Sequence, residues 1–362
     1  MKKEFKTFLN SKKKKKVFII SGKNSYFKSD FDKLLKNQLN KIDNFTYFKK
    51  EYLPEVDELK DIIKKVKKFD PDILIAVGGG SALDYAKIVS VSPNVKMFSI
   101  KNFQKASINK KIFLAAIPTT AGSGSEVTEG AVIYKNKIKH SLEHKLIIPN
   151  RYFLIPELVI KNSKKIKSNS GFDALSQSVE SILSNKSNHQ SIAYAERAIK
   201  IINEFFIKYY LRPTKFNAYK MQLAANLAGK AICISKTTAP HAVSYPFSTY
   251  FKLSHGHAVS LTFNEFIRFN FQNMHKASNQ ILLKKKFHKI FKSTQTSNID
   301  EFIDFIDKLK NQIKFKTKLN KLSINLERNM SKILKGVNIK RLKNNPVKLT
   351  KKDITNILYQ IK

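Results

Sequence analysis

The sequence predicts an α/β domain built on a parallel β-sheet, followed by an all-α domain. Residues 73–77 and 112–117 are continuously apolar, which is typical of strands buried on both faces of a sheet. Amphipathic stretches of helical period separate the strand signals in the first half, and after about residue 160 strand signals fade while helical patterns continue. We therefore divide the chain into a nucleotide-binding α/β domain, residues 1–158, and a helical domain, residues 159–362.

The individual elements follow from local patterns in chain order. Short apolar or β-branched runs, ended by glycine, proline or polar residues, predict strands at 16–21, 45–48, 73–77 and 112–117. Amphipathic periods predict helices at 30–39, 56–68, 82–89, 173–183, 192–209, 219–232, 281–292, 299–313 and 349–361. Thr350 suits an N-cap for the last helix, ahead of Asp353. A polar, lysine-rich linker is expected over residues 156–170.

Composition is typical of a globular protein from a reducing compartment. The 362 residues are 42% hydrophobic, with 27 Phe and 13 Tyr, which is enough for two sizeable cores. The single Cys233 excludes a disulfide framework and a cysteine-rich zinc site. The N-terminus has no long apolar segment, and the apolar run at 17–20 is too short to cross a bilayer. We expect a soluble, cytoplasmic protein with no membrane partner.

The formal net charge of +41 would attract polyanions. The lysines are nevertheless spread along the whole chain rather than gathered in one arm. This distribution argues against a specific nucleic-acid site, so we expect no nucleic-acid partner. A non-enzymatic polyanion-binding protein stays as an alternative, whereas attraction of a small anionic substrate or cofactor is the more modest inference.

Two loops that follow buried strands can bind a nucleotide. Gly78, Gly79, Gly80 and Ser81 lie between a strand and a helix, where backbone N–H groups and the helix N-terminus can hold a pyrophosphate. Residues 118–126 place four hydroxyls and two glycines after the next buried strand. Ligands of parallel sheets collect at the carboxyl ends of the strands, where both loops should lie. Either loop alone also fits an ordinary turn, and Asp84 with Lys87 fits a solvated pair one helical turn apart.

Residues 235–261 contain three of the eight histidines, His241, His255 and His257, in an apolar segment. Desolvation keeps an imidazole neutral, which is the form that binds a metal, although a single buried histidine is more often part of a core. Asp173 and Gln177 lie at i and i+4 on one predicted helix face, and Glu180 continues that face. Taken alone, these three residues favour a solvated helix face. Paired with the histidines, the carboxylate of Asp173 and the amide oxygen of Gln177 can complete an N/O metal site.

Four motifs in this order resemble the iron-containing (group III) alcohol dehydrogenases. They are GGGSALDYAK at 78–87, PTTAGSGSE at 118–126, FDALSQSVE at 172–180, and HAVSY to SHGHAV at 241–259, and the likeness extends to 342–346. The resemblance implies an N-terminal Rossmann-like domain and an all-helical C-terminal domain, the dehydroquinate synthase-like architecture. It also implies a homodimer with NAD(P) and a divalent metal, Fe²⁺ or Zn²⁺, in a cleft between the domains.

Carried over by position, the family's functional residues fall on three groups in this chain. The cofactor group comprises Gly78, Gly79, Gly80 and Ser81 for the pyrophosphate, Thr119, Thr120 and Ser123 for the ribose and nicotinamide side, and Asp84 and Lys139. The metal ligands are Asp173, Gln177, His241 and His255. The catalytic proton relay is expected through Tyr245 or His257 and water.

The chain departs from the family at two of these positions. Gln177 stands where the second metal ligand is ordinarily His, and a neutral amide oxygen weakens affinity for iron(II) or zinc. Tyr245 stands where the family has another His near the nicotinamide, and a phenol can still donate a hydrogen bond or relay a proton.

The segment 235–239, leading into His241, looks most like the branch that reduces phosphonoacetaldehyde to 2-hydroxyethylphosphonate. Lys236 and Thr237 replace an apolar, glycine-containing stretch and suit a phosphonate dianion, although Lys236 can equally extend to solvent as one of 68 basic residues. The expected reaction is NAD(P)H-dependent reduction of a small anionic aldehyde to its alcohol. The alternatives are a general short-chain alcohol dehydrogenase, and a glycerol-phosphate dehydrogenase or sugar-phosphate cyclase on the same fold.

The end of the second predicted strand bears on cofactor choice. An acidic residue there would bind the ribose 2′-OH of NAD and repel a 2′-phosphate, but Lys50 stands in that place. We therefore expect NADPH to be accepted at least as well as NADH.

Overall fold

The computed structural model describes residues 2–11, 15–34, 40–92, 100, 103, 112–136 and 138–362. The chain forms two compact units, residues 1–162 and residues 163–362. The boundary expected between functional domains at 158/159 stays a prediction. Of the helix predicted at 30–39, residues 35–39 lie outside the described residues.

The first unit contains a five-stranded parallel sheet, which confirms the predicted fold class. The strand order is β2–β1–β3–β4–β7, and the strands are β1 (Val17–Gly22), β2 (Asn44–Lys49), β3 (Ile73–Gly78), β4 (Phe113–Pro118) and β7 (Arg151–Tyr152). Gly78 pairs with Pro118 at the ends of β3 and β4. The loops that follow these two strands therefore leave the same edge of the sheet side by side.

Both faces of the sheet are buried, because neighbouring strand residues point to opposite sides. Phe18, Leu74 and Leu114 belong to one core. Val17 and Ile75 belong to the other. The helices of this unit are α1 (Lys2–Asn10), α2 (Lys23–Phe27), α3 (Val56–Phe69), α4 (Gly80–Val89) and α5 (Glu157–Ile160). This two-sided burial explains why the strands read as continuous apolar runs.

The sequence patterns missed an antiparallel hairpin in this unit, β5 (Gly130–Lys135) and β6 (Ile138–Glu143). Strand β6 has the sequence IKHSLE, and only Leu142 of it is fully buried. A strand with so little buried surface carries too weak an apolar period to be recognised.

The second unit is helical, and residues 163–362, all of them described, contain no strand. Its helices are α6 (Lys164–Leu183), α7 (His189–Leu211), α8 (Lys215–Ser235), α9 (Ala239–Phe251), α10 (His255–Gln272), α11 (Gln280–Thr294), α12 (Ile299–Gln312), α13 (Leu326–Lys335), α14 (Ile339–Leu342) and α15 (Lys351–Gln360). The N-cap predicted at Thr350 is confirmed, and Thr350 forms a capping box with Asp353. None of the described helices combines the length and apolarity needed to cross a bilayer.

The polar linker expected over residues 156–170 is wrong over most of its length. The Ser163 hydroxyl accepts a hydrogen bond from the Ile166 N–H and so caps α6, which begins at Lys164. The lysine-rich first turns of α6 resemble a linker in composition, yet Lys167 and Ser168 are already buried. Helix α6 is therefore about two turns longer than its apolar pattern indicates.

Candidate active site

The glycine turn after β3 is held in a shape that requires glycine. Gly78 has φ of 156°, and a Cβ there would lie 2.7 Å from the Ala82 Cβ. Helix α4 begins two residues later, at Gly80, with Gly79 as its N-cap. The turn thus brings backbone and a helix N-terminus together without side chains, as a pyrophosphate site needs.

The hydroxyl-rich loop after β4 lies directly against this turn. The Thr119 N–H donates to the Gly78 carbonyl oxygen at 2.9 Å. A Cβ on Gly79 would lie 3.5 Å from the Thr120 Oγ1, and one on Gly80 would lie 3.4 Å from the Ser123 Oγ. Ser81 is half-buried at the start of α4. The structure therefore brings the predicted cofactor residues of the two loops into one region. The other two predicted cofactor residues, Asp84 and Lys139, lie outside these loops.

Asp84 and Lys87 face the protein interior, so the alternative of a solvated pair is wrong. Asp84 Oδ1 accepts from the Ser125 hydroxyl at 2.8 Å, and Oδ2 accepts from the Val132 N–H at 3.0 Å. Burial raises the pKa of Asp84, and the charges of Lys87 and Lys139 oppose that rise. Both oxygens of Asp84 are satisfied within the protein, which indicates a structural role. Lys139 lies opposite Tyr134 in the hairpin.

The side chains of the predicted metal site come from α6, α9 and α10. Asp173, Gln177 and Glu180 are all buried on one face of α6, which rejects the alternative of a solvated helix face. His241 lies near the start of α9, after Pro240 at a position where proline is tolerated. His255 is the first residue of α10.

Gly256 brings the start of α10 onto α6. A Cβ at Gly256 would lie 2.0 Å from the backbone oxygen of Asn169, so only glycine permits this approach. Asn169 Oδ1 accepts hydrogen bonds from the Ser254 hydroxyl and, at 3.0 Å, from the His257 N–H. The contact fixes His255 next to the face of α6 that carries Asp173, one helical turn beyond Asn169.

Three predicted ligands converge on one point. His241 Nε2 lies 3.3 Å from Asp173 Oδ1, and His255 Nε2 lies 3.8 Å from the same oxygen. Each of these residues offers one ligand atom within 4.8 Å of the others. Burial by itself raises the pKa of Asp173, but the two histidines and a hydrogen bond from Gln177 outweigh it and lower that pKa. The hydrogen bond puts Gln177, the fourth predicted ligand, beside Asp173.

The polar atoms of this cluster test whether a divalent metal fits. Asp173 Oδ1, Gln177 Oε1 and His241 Nε2 are buried and accept or donate no hydrogen bond among the described residues. Unpaired buried polar atoms cost about 1–3 kcal/mol each, so their clustering calls for a ligand that satisfies them together. Two oxygens and two imidazole nitrogens form a donor set that suits zinc or iron(II). The residues fit the metal.

Glu180 forms a hydrogen bond with Nδ1 of His241, the ring nitrogen that does not face Asp173. Its carboxylate accepts from His241 Nδ1 at 2.5 Å, from the Thr238 N–H at 2.8 Å and from the Thr238 hydroxyl at 3.0 Å. Burial by itself lowers the pKa of His241, but the Glu180 and Asp173 carboxylates outweigh it and raise that pKa to about 9. The expectation that desolvation keeps this imidazole neutral is therefore wrong for His241 without a metal. When the ring is neutral and Nδ1 donates to Glu180, the Nε2 lone pair is directed at the cluster, which is the arrangement of histidines that bind metals.

The two candidate relay residues are in different places. Tyr245 follows His241 by one turn of α9 and is buried. His257 lies two residues after His255 on α10, so it faces away from it. Its Nε2 is 2.8 Å from the Lys316 carbonyl oxygen, and its ring stacks on Phe315 at 4.6 Å between centroids. Burial lowers the pKa of His257. The structure does not bring His257 to the cluster.

The segment between α8 and α9 carries the two predicted substrate residues. Lys236 has φ of 60° and ψ of 176°, a region occupied almost only by glycine. Thr237 is buried, its hydroxyl accepts from Arg341 Nη1 at 2.6 Å, and its carbonyl accepts from Asn344 Nδ2 at 3.1 Å.

Comparison with known proteins identifies the family. Residues 2–156 match the sequence model of the iron-containing alcohol dehydrogenases. Residues 167–361 match that of the C-terminal domain of the Fe-containing alcohol dehydrogenase family.

The chain belongs to the iron-containing alcohol dehydrogenase family.

Individual relatives are distant. Phosphonoacetaldehyde reductase from Streptomyces viridochromogenes is 27% identical over 59% of this chain and 57% of its own length. The 1-propanol dehydrogenase PduQ from Citrobacter freundii is 29% identical over 72% and 68% of the two chains. Aldehyde-alcohol dehydrogenase 2 from Entamoeba histolytica is 29% identical over 72% of this chain, but the match spans only 32% of that protein.

Solved structures share the fold over nearly the whole chain. An iron-containing alcohol dehydrogenase from Thermotoga maritima superposes with a TM-score of 0.84 at 26% identity, covering 99% of this chain and 94% of the other. Sulfoacetaldehyde reductase from Bifidobacterium kashiwanohense, solved in complex with NAD⁺, superposes with a TM-score of 0.85 at 24% identity over the same shares.

Family membership confirms the expected enzyme class, since these proteins are oxidoreductases that act on alcohols. NAD(P) and a divalent metal are the cofactors of the iron-containing alcohol dehydrogenases, which confirms the expected cofactor classes.

Sequence reasoning missed two interactions in this member of the family. Glu180 was placed on the correct helix face, and its spacing from Asp173 was the available signal, but its bond to His241 was not foreseen. Arg341 gave no signal, because it is 104 residues from its partner Thr237 in the sequence.

Proposed function

We propose that this chain is an NAD(P)H-dependent, metal-dependent reductase of small anionic aldehydes, with phosphonoacetaldehyde as the best candidate substrate. The proposal that the chain is an enzyme rests on one observation. Asp173, His241 and His255 each offer one ligand atom, and these atoms lie within 4.8 Å of one another. The unpaired buried atoms of the same cluster support a bound cation over a packed core.

Different groups of residues would bind the metal and the cofactor. Asp173, Gln177, His241 and His255 would hold the metal, which when bound supplies Lewis-acid polarisation of the carbonyl oxygen. The turn at 78–81 and the loop that carries Thr119, Thr120 and Ser123 would hold NAD(P)H, which supplies the hydride. Glu180 keeps His241 in one orientation and one tautomer.

Tyr245 is the proposed proton donor to the product oxygen. It is buried one helical turn after His241, so it lies on the same face of α9. Its phenol takes the place of the family's histidine, and it can pass a proton through water to the developing alkoxide. His257 is left out of this relay, since its ring nitrogen bonds a backbone carbonyl elsewhere.

The substrate class rests on Lys236 and Thr237. The backbone conformation of Lys236 costs about 1–3 kcal/mol for a lysine, whereas glycine would adopt it freely. The presence of lysine there indicates that its side chain is needed. A cation and a hydroxyl suit a phosphonate, and one relative is named phosphonoacetaldehyde reductase. A general short-chain alcohol dehydrogenase is the second candidate, supported by the likeness to 1-propanol dehydrogenase.

The cofactor preference is proposed for NADPH, with Lys49 in place of Lys50. Lys50 is exposed, and its N–H donates to Glu58. Lys49 is the last residue of β2, and its Cε lies 3.8 Å from where a Cβ on Gly22 would be. Its Nζ donates to the backbone oxygens of Glu51 and Tyr52. A cation at this strand end supports the proposal, because it would attract the 2′-phosphate of NADPH.

A panel of aldehydes tests the proposal. Phosphonoacetaldehyde, sulfoacetaldehyde and propanal are each assayed with NADPH and NADH, with Fe²⁺, Zn²⁺ or chelator. We expect turnover that depends on metal, a higher kcat/KM for phosphonoacetaldehyde and at least equal use of NADPH. Preference for propanal would favour the second candidate, and no cofactor oxidation with any aldehyde would refute the enzymatic proposal. The homodimer and the cytoplasmic location stay predictions.

A further inference from the structure

Arg341 is a half-buried cation in the second unit that no carboxylate neutralises. Among the described residues, no Asp or Glu oxygen lies within ion-pair distance of its guanidinium. Nη1 donates to the Thr237 hydroxyl at 2.6 Å, and the guanidinium carbon lies 6.0 Å from the centroid of the Tyr245 ring. A guanidinium has five N–H donors, so this arrangement leaves donors for a further partner.

The surroundings of Arg341 connect it to the candidate active site at two points. Thr237 is followed by Thr238, whose N–H and hydroxyl both donate to Glu180, the partner of His241. Tyr245, whose ring Arg341 approaches, follows His241 by one turn of α9. The guanidinium thus lies against the residue proposed as proton donor and against the segment proposed to bind the substrate anion.

We propose that Arg341 is a specificity-determining residue that binds the phosphonate group of the substrate; this rests on the function proposed above. The planar guanidinium offers paired N–H groups that match two oxygens of a phosphonate. The Thr237 hydroxyl, which accepts from Nη1, fixes the orientation of the guanidinium. Lys236, next to Thr237, adds a second charge to the same subsite. The ligand class is a small aldehyde or alcohol with a terminal tetrahedral oxyanion.

A purely structural role for Arg341 is the competing explanation, and other contacts already provide that role. The Thr237 carbonyl oxygen accepts from Asn344 Nδ2, and the Asn338 Oδ1 caps α14 by accepting from the backbone N–H of Arg341. Neither contact uses the guanidinium. The segment is therefore tied down without the charge of Arg341.

The test compares Arg341→Met with Arg328→Met on phosphonoacetaldehyde and propanal. Arg328 is exposed on α13, so its replacement removes the same net charge away from the subsite. We expect Arg341→Met to lower kcat/KM for phosphonoacetaldehyde at least ten-fold more than for propanal, mainly through KM. Arg328→Met should lower both equally or not at all. Equal losses on both substrates in Arg341→Met, or no loss on either, would overturn the proposal.

A binding measurement separates this inference from the proposed function. Ethylphosphonate, which cannot be reduced, is titrated against wild type and Arg341→Met by calorimetry. We expect at least ten-fold weaker binding to the variant. If the wild type reduces no aldehyde but binds ethylphosphonate through Arg341, only the proposed reaction fails. If the wild type reduces phosphonoacetaldehyde but both proteins bind ethylphosphonate equally, only the role of Arg341 fails.

Arg341→Lys replaces the methionine variant if that variant does not fold. It keeps the charge and loses the paired N–H groups, and a ten-fold loss of ethylphosphonate affinity is again required.

Discussion

At the scale of single residues, the most informative position is Lys236. Its backbone conformation, φ 60° and ψ 176°, is essentially reserved for glycine. We expect Lys236→Gly to raise the melting temperature by a few degrees, because relief of about 1–3 kcal/mol of strain exceeds the added flexibility of the unfolded chain. The same variant should lose about ten- to a hundred-fold in kcat/KM for phosphonoacetaldehyde.

Lys236→Ala is the matched control for that prediction. It removes the ammonium group but keeps a Cβ, so it should lose activity on the anionic aldehyde without gaining stability. Thermal unfolding and kinetics on both variants give the answer. A glycine variant that is less stable than wild type would show that the strain is absent or is compensated locally.

Glu180 permits a second prediction at this scale. Glu180→Gln preserves shape but removes the charge that orients and polarises His241, so we expect a ten- to hundred-fold loss of metal affinity. Titration of the metal-free protein with Zn²⁺, followed by calorimetry, measures it. Glu196→Gln, which alters a carboxylate paired with Lys289 on the surface, is the control. Equal affinity in the two variants would mean that His241 does not depend on its partner.

At the scale of elements, the contact of α6 with α10 decides the site. Gly256→Ala would place a methyl group 2.0 Å from the Asn169 oxygen, so the helices must separate. We expect a loss of about 1–3 kcal/mol in unfolding free energy and weaker metal binding, because His255 moves with α10. Gly130→Ala is the control, since a Cβ there meets nothing within 4 Å. Denaturant unfolding and metal titration of both variants measure the effect, and unchanged metal affinity in Gly256→Ala would contradict it.

The same elements show what sequence can and cannot predict. The sequence predicts β1, β2, β3 and β4 within about two residues, and in β3 and β4 burial on both faces leaves continuous apolar runs. It does not predict β7, which has two residues, or β6, of which only Leu142 is fully buried. On α6 the spacing of Asp173, Gln177 and Glu180 was sufficient to place them on one face. The approach of α10 depends on Gly256 meeting a backbone atom of another helix, and no local pattern encodes such a contact.

At the scale of the whole molecule, Lys310 links stability to pH. Burial lowers the pKa of Lys310 to about 8, and its Nζ donates to Asn264 Oδ1 at 2.8 Å. The pKa of an unfolded lysine is about 10.4, so between pH 8 and 10.4 the unfolded chain binds more protons than the folded one. The contribution of Lys310 to stability therefore rises with pH across this window.

Comparison with Lys310→Met isolates this effect, because the other lysines titrate in both proteins. The variant's unfolding free energy minus that of wild type should fall by about 3 kcal/mol between pH 7 and pH 10.5. Urea unfolding at four or more pH values measures the difference. A difference that is constant with pH would show that Lys310 titrates normally in the folded protein.

Lys87 has a consequence for ligand binding by the first unit. Its buried ammonium group donates to the Ser125 carbonyl, the Thr128 hydroxyl and the Gly130 carbonyl, and so fastens the loop after β4 onto α4. A loop that is already ordered loses little conformational entropy when a ligand arrives. Most of the contact energy between a dinucleotide and this loop then appears as affinity, and binding approaches a rigid fit rather than a folding event.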